Sequence, residues 1–338
     1  MNILAVESSC DETAFAVVRD GRTVLSDCIA SQVALHREYG GVVPEIASRK
    51  HIEAIYALAD SALEEAKLTR QDIDAVAVTY APGLIGAVLV GVNFAKAAAM
   101  SLNKPLIPVH HIKGHIAANY LAYPELEPPF LCLVVSGGHT MLVDVQDYTK
   151  MHILGSTLDD AAGECFDKVA RVLGMPYPGG AALDRCAKLG DESRYTLPRS
   201  KPGENPYDMS FSGLKTATLN LIHHAQQVGE ELDINSLCAA FSAAVSDTLV
   251  PRAEMALKQT GYRHLAVAGG VAANSRIRQD ITCMAQAMGV SVYLPPLHLC
   301  GDNAAMIGSQ AYYEYLVGNT ADMTLNAYAT KSIVGETM

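Results

Sequence analysis

The chain is short of positive charge: 25 Lys and Arg stand against 36 Asp and Glu, a net charge of −11 over 338 residues. That sign excludes a protein that grips nucleic acid through its overall field, so any such role needs a local basic cluster or a partner. Cysteine pairing is missing as well. The eight cysteines, Cys10, Cys28, Cys132, Cys165, Cys186, Cys238, Cys283 and Cys300, form no Cys-x-x-Cys pair. This argues against a zinc ribbon or disulfide framework and for reduced thiols in a cytoplasmic protein. The first residues, Met1-Asn2-Ile3-Leu4-Ala5-Val6-Glu7, lack a basic region and meet an acid at once, unlike a signal peptide. The longest apolar run, Gly83 to Met100, is interrupted by Asn93 and Lys96. It is expected as a buried helix, and no membrane partner is expected.

What is present begins with two histidines. In Val109-His110-His111-Ile112-Lys113-Gly114-His115, His111 and His115 stand four apart, which turns both to one face of a helix. They can share a divalent metal, which wants at least one further ligand. Asp302 is the candidate, a lone carboxylate after Gly301 at the opening of a largely apolar helical run. The plain alternative is a pair of core or surface histidines at helical spacing. A zinc peptidase would need a glutamate as general base, and Ile112, Lys113 and Gly114 between the histidines supply none. The pair with a distant Asp suits a metal that positions a substrate rather than one that makes hydroxide.

Half of the residues are hydrophobic, and the length favours two lobes with a cleft between them. Short strands are expected at 3–6, 14–18 and 24–29, the last two joined through Asp20-Gly21. The polar turn Glu7-Ser8-Ser9-Cys10-Asp11-Glu12-Thr13 is either an ordinary hairpin loop or a cradle of N–H groups for a phosphate. A helix from Pro44 should bury Ile52, Ile55, Leu58, Ala59 and Ala62. After Pro128-Pro129 the succession of strand, polar turn, strand, turn, strand and helix begins again, about 127 residues on. Two copies of one α/β fold, each a mixed sheet covered by helices, are therefore expected. Gly269-Gly270, between a strand and a helix, lets a nucleotide approach the backbone or simply makes a tight turn. The expected divisions are a first lobe at 1–110 and the histidine helix with a linker at 111–127. A second lobe at 128–300 carries a helical insertion at 157–230, followed by a closing helix with Asp302 at 301–318 and a tail without motif at 319–338.

Six segments in order are similar to one family: Glu7-Ser8-Ser9-Cys10-Asp11-Glu12-Thr13, Gly40 to Arg49, His110-His111-Ile112-Lys113-Gly114-His115, Val135-Ser136-Gly137-Gly138-His139-Thr140, Ala268-Gly269-Gly270-Val271-Ala272-Ala273-Asn274 and Asp302-Asn303-Ala304-Ala305-Met306. They resemble the tRNA N6-adenosine threonylcarbamoyltransferases, from about residue 2 to about residue 310. The resemblance implies two ribonuclease-H-like lobes of the actin-like ATPase fold around a central cleft. It implies one divalent metal, iron first with zinc as the alternative, on His111, His115 and Asp302, with Ser136 as a further ligand. Adenylate or ATP would lie in the cleft, lined by Val134, Val135, Ser136, Gly137, Gly138, Asp167, Gly180, Asp184 and Asn274, with Gly269 and Gly270 as its loop. The implied reaction moves a threonylcarbamoyl group from threonylcarbamoyl-adenylate to N6 of the adenosine beside the anticodon, in tRNAs reading ANN codons, and releases AMP. Asp11 and Glu12 are the candidates for proton handling. Arg49, Lys50, Lys168, Arg171, Arg199, Lys201 and Lys215 are the cations available for tRNA. A non-catalytic paralogue of the same fold and a small P-loop ATPase are the implied partners. The sequence departs from the family at Cys165, Met209 and Gly301, where alanine, phenylalanine and threonine are usual. A small-molecule kinase of the same fold is the rival reading, although Asp11-Glu12-Thr13 lacks the Asp-x-Gly such a kinase would carry.

Overall fold

A computed structural model describes residues 1–201 and 203–334; Pro202, within the expected insertion, and the last four residues of the expected tail lie outside the described residues. The chain forms two compact units, one of Met1–Pro128, Gln146–Met151 and Pro295–Met338, the other of Pro129–Val145 and His152–Leu294. In the first, strands β1 (Asn2–Glu7), β2 (Glu12–Arg19) and β3 (Thr23–Ser31) make an antiparallel meander. Helices α1 (Val33–Arg37) and α2 (Pro44–Glu65) lead to β4 (Ala75–Ala81), then α3 (Ile85–Leu102), β5 (Leu106–His110) and α4 (His111–Ala122). Since β4 pairs parallel to β1 and β5 parallel to β4, the sheet runs β3-β2-β1-β4-β5.

The second unit repeats the pattern. Strands β6 (Phe130–Val135), β7 (Thr140–Val145) and β8 (Met151–Ser156) are followed by α5 (Ala162–Val172), α6 (Gly179–Ala187), α7 (Ser212–Val228) and α8 (Ile234–Thr260). Then come β9 (His264–Ala268), α9 (Ser275–Met288) and β10 (Ser291–Tyr293), giving the order β8-β7-β6-β9-β10. The strand that comes first in sequence is central in both sheets. One offset separates Asn2 from Phe130, Glu12 from Thr140 and Thr23 from Met151, so the duplication holds strand by strand.

Helix α10 (Ala304–Leu316) belongs to the first unit. Alternation along the strands explains its seat. Leu4, Val6, Phe15, Val17, Val76 and Val78 face a core with α2 and α3, whereas Ile3, Ala5, Ala14, Ala16, Ala75 and Ala77 face α10. The alanines on that side let a helix come close. At Gly308 an added Cβ would stand 2.7 Å from Val18 Cγ2 and 3.3 Å from Ala5 Cβ, so only glycine allows this approach. The parallel strands β1, β4 and β5 end on one edge, and Glu7, His110 and the start of α4 stand there. Carboxyl ends of parallel strands are where ligands collect in such sheets.

Two expectations change. Ile52 is 63 % exposed, and the buried position of α2 beside it is His51, fully enclosed. His51 is soluble in the core because Thr13 Oγ1 lies 2.7 Å from its Nδ1 and the Cys10 carbonyl 2.9 Å from its Nε2. Helix α3 is not buried all round: Ala87, Val88, Val92 and Ala95 face the core while Ile85, Leu89 and Met100 are exposed. It is one helix long and apolar enough to cross a membrane, by length and composition. The described residues of the tail, left without a motif in the sequence, pack on the first unit, with Ala327 in its core and Ala321 N–H donating to the Leu106 carbonyl at 2.8 Å.

Candidate functional site

His110 closes β5 and caps α4, its Nδ1 accepting the Ile112 N–H at 3.3 Å. The two following histidines therefore enter the helix with a fixed phase. Their rings meet edge to face, centroids 4.6 Å apart. Asp302 reaches them from the residue before Asn303, which caps α10 by accepting the Met306 N–H at 2.9 Å. Asp302 thus precedes the helix it was expected to open. Its Oδ1 is 3.2 Å from His115 Nε2 and 3.5 Å from His111 Nε2, and one ligand atom from each residue lies within 4.8 Å of the others. Ligands held about 2.0–2.2 Å from a common ion stand roughly 3–3.5 Å apart, which the two Asp302–histidine separations match, and the three donors together form a group that could hold one ion. Close approach of α4 and α10 depends on Gly114, where a Cβ would stand 2.6 Å from Ile307 Cδ1.

The donor chemistry points the same way. Both ring nitrogens of His115 are buried without a hydrogen bond, Nε2 facing the Asp302 carboxylate at 3.2 Å, a state that costs about 1–3 kcal/mol and that an ion between Nε2 and Asp302 would relieve at that nitrogen. His111 differs: Nδ1 is 3.0 Å from Glu7 Oε2 and 3.2 Å from Ser9 Oγ, which leaves Nε2 toward Asp302. A carboxylate behind a ligating histidine fixes its tautomer and raises its basicity. Glu7 is fully buried at the end of β1 and also accepts from Thr79 Oγ1 at 2.6 Å and from the Ser9 N–H. Burial pushes its pKa up, but the charge and hydrogen bond of His111 win and hold it below the usual carboxylate range. Glu7 was visible only as an acid in a polar turn. The signal that could have singled it out is its place as the last residue of a buried strand.

Asp11 and Glu12 adjoin this centre. Asp11 is buried, and its carbonyl accepts the Gln32 N–H at 2.9 Å. Burial, then the Asp11 and Asp302 charges, raise the Glu12 pKa to about 9, although Ser31 Oγ donates to it at 2.9 Å. Glu12 therefore keeps a proton at neutral pH. The structure brings His111, His115, Asp302, Asp11 and Glu12 into one neighbourhood of the first unit.

The remaining candidates lie in the second unit and form a connected rim. Val134 and Val135 are buried at the end of β6, and the Ser136 hydroxyl bonds within its own turn, accepting the His139 N–H at 3.1 Å. A Cβ on Gly163 would stand 2.5 Å from the Ser136 carbonyl oxygen and 2.7 Å from Gly137 Cα, so the start of α5 touches that turn. Gly269 has φ +92°, and a Cβ there would meet the Val135 carbonyl oxygen at 2.5 Å. Around Gly137, Gly138 and Gly270 an added Cβ would meet nothing within 4 Å. Asp167 Oδ1 accepts from the N–H groups of Gly179 and Gly180 at 2.8 and 3.3 Å, tying α5 to α6. Asp184, on α6, accepts the Ser275 N–H at 2.9 Å and its hydroxyl at 2.7 Å and pairs with Lys188 at 3.1 Å. Asn274 caps α9 by accepting the Ile277 N–H at 3.1 Å. A carboxylate has about four lone-pair sites, so Asp184 retains capacity for a further donor.

A substitution tests the support behind His111. Glu7→Gln keeps the volume but removes the charge and turns an amide NH2 toward one of three donors. It should weaken divalent-metal binding about 10- to 100-fold in calorimetric titration, and unchanged affinity would mean Glu7 is not a support for the site.

Residues 23–309 match the family described as TsaD, tRNA N6-adenosine threonylcarbamoyltransferase. The chain is 55 % identical over 326 residues to the enzyme of that name from Moorella thermoacetica, covering 96 % of this chain and 95 % of that one. With the one from Clostridium perfringens it shares 53 % over 325 residues, 96 % of each. Among solved structures it is similar to T. kodakarensis HypF, with TM-score 0.60 and 15 % identity over 96 % of this chain and 49 % of that one. Component A of the (R)-2-hydroxyglutaryl-CoA dehydratase of Acidaminococcus fermentans gives TM-score 0.53 and 14 % identity over 94 % and 99 %. At such identity these two show the fold alone, the duplicated actin-like ATPase architecture of two mixed sheets with helices. Sequence identity over nearly the whole length does more: the chain belongs to the tRNA N6-adenosine threonylcarbamoyltransferase family.

Proposed function

We propose that this chain transfers a threonylcarbamoyl group from threonylcarbamoyl-adenylate to N6 of the adenosine beside the anticodon in tRNAs reading ANN codons, releasing AMP. The observation that carries the reading is identity above one half to enzymes of that name across 96 % of the chain. A small-molecule kinase shares only the fold, which carries no chemistry by itself. Nucleophilic attack by an exocyclic amine is slow, so holding and polarising the acyl carbonyl matters most.

His111, His115 and Asp302 would hold one divalent ion, and two imidazoles with a carboxylate suit iron(II) or zinc. Bound there, the ion supplies Lewis-acid polarisation and a fixed point for the threonylcarbamoyl end. Glu7 orients His111. The attacking amine loses a proton as the bond to the acyl carbon forms and AMP leaves as its phosphate, so the step needs a proton acceptor. The Asp11 carboxylate would be that acceptor, beside Glu12, whose own pKa burial and the Asp11 and Asp302 charges raise. In the second unit Gly137, Gly138 and Gly270 leave room for phosphate and adenosine, with Asp167 and Asp184 fixing the helices that bear Gly180 and Asn274. Any RNA target adenine beside an anticodon already lies single-stranded, so no duplex need open.

Partners fit the charge. Of the seven cations available for tRNA, Arg49, Lys50, Lys168, Arg199 and Lys215 are each paired with a carboxylate, which leaves little net positive field. Help from a paralogue and a small P-loop ATPase is therefore part of the reading. Exposed Ile52 and Tyr56 of α2 beside exposed Ile85 and Leu89 of α3 support docking of the paralogue on that face, and gel filtration of the mixed proteins tests it. The reaction itself is tested by supplying threonylcarbamoyl-adenylate, unmodified tRNA and those partners. Modified nucleoside and AMP should appear in equal amounts, and the absence of both with competent partners would overturn the reading.

A further inference from the structure

The segment after α10 carries no motif and lies past the residues that match the family, yet its backbone is bonded into the metal side of the first unit. Ala321 N–H donates to Leu106 O on β5 at 2.8 Å and Tyr328 N–H to Tyr80 O on β4 at 2.9 Å. Gly83 N–H donates to Ala329 O at 3.2 Å, and Lys96 Nζ to Leu325 O at 3.1 Å. Ala327 is 5 % exposed, and the Lys331 ammonium lies over the rings of Tyr80 and Tyr328, 5.0 and 4.7 Å from their centroids. The segment thus crosses β4 and β5. There the Lys331 carbonyl meets His110 Nε2 at 3.0 Å.

That last bond decides how the His110 ring works. A carbonyl only accepts, so Nε2 carries the hydrogen and Nδ1 keeps its lone pair. The lone pair is what accepts the Ile112 N–H and caps α4. We propose that residues 321–331 form a strap that positions α4 for metal binding, acting through His110 as a positioning residue. The strap holds the tautomer that caps the helix; the capped helix holds His111 and His115 at the phase that meets Asp302. This inference rests on the metal reading of those three residues.

The test measures zinc affinity of the full-length chain by competition with a chromophoric chelator, alongside the melting temperature of the metal-free protein. Tyr328→Pro deletes the N–H donated to Tyr80 and the ring beneath Lys331, at a residue that is 42 % exposed. His110→Ala removes the cap, and His110→Asn supplies another side-chain acceptor at the same place. Tyr328→Pro and His110→Ala should each weaken zinc binding about tenfold while His110→Asn stays within about threefold of wild type, all with a folded metal-free chain. Wild-type affinity in both Tyr328→Pro and His110→Ala overturns the strap. Should His110→Ala fail to fold, Tyr328→Pro decides alone. Zinc binding by wild type that is lost in His115→Ala separates failure of the strap from failure of the metal reading, since a wild-type chain that takes up no zinc sinks both.

Discussion

His115→Ala should cost the metal-free chain no more than the cavity its buried ring leaves, about 1–3 kcal/mol, and yet abolish tight divalent-metal binding and catalysis. The two halves of this expectation come from one observation. Neither ring nitrogen of His115 makes a hydrogen bond, so removing the ring gives up only its contact with Asp302 at 3.2 Å and its edge-to-face contact with His111, and relieves the buried, unbonded Nδ1. A histidine kept in the core for structure would behave in the opposite way, with its loss costing stability and sparing the chemistry. Polarisation of a carbonyl by a bound ion is worth several kcal/mol, so turnover should fall roughly a thousandfold or more. Thermal melting of the metal-free proteins and metal content after dialysis read the two halves separately. A strongly destabilised variant that still holds one ion per chain would contradict the assignment. His111→Ala is the less clean probe because it also strands the buried Glu7 carboxylate.

Metal binding should tighten steeply as pH rises from about 6.5 to about 9. Burial works against the charged His111 imidazole, but the Asp302 and Glu7 carboxylates prevail and raise its pKa from 6.5 to about 9. In the metal-free chain His111 is therefore protonated at neutral pH, and an ion must expel that proton to bind. Affinity gains up to about tenfold per pH unit through this window and levels off above it. The sign for stability is the reverse. A raised folded pKa contributes stability to the metal-free chain that is complete below 6.5 and is lost as pH climbs through 9. Zinc titrations at pH 6.5, 7.5 and 8.5 check this, and an affinity that is flat or falls with pH would contradict it. In Glu7→Gln the dependence should weaken, since one of the two carboxylates that hold the proton is gone.

Much of this centre was legible in the chain because its parts are local. Two histidines at helical spacing, a lone Asp beside a glycine and two glycines after a strand are patterns a sequence carries openly. The repeat of strands was visible for the same reason, since alternation marks each strand by itself. What was hidden depends on partners distant in sequence. His51 replaces Ile52 inside because Thr13 and the Cys10 carbonyl satisfy its ring, which no hydrophobic period can express. Glu7 looked like one more acid in a polar turn until Thr79 and His111 closed around it. The tail is held chiefly by backbone bonds, which leave no mark on residue identity.

One assay reaches both the reaction and the metal centre. Wild type and His115→Ala, each with threonylcarbamoyl-adenylate, unmodified tRNA and competent partners, are followed by digestion of the tRNA and mass spectrometry of its nucleosides. The account predicts threonylcarbamoyladenosine from wild type and none above background from a folded His115→Ala. Equal product from both would contradict it.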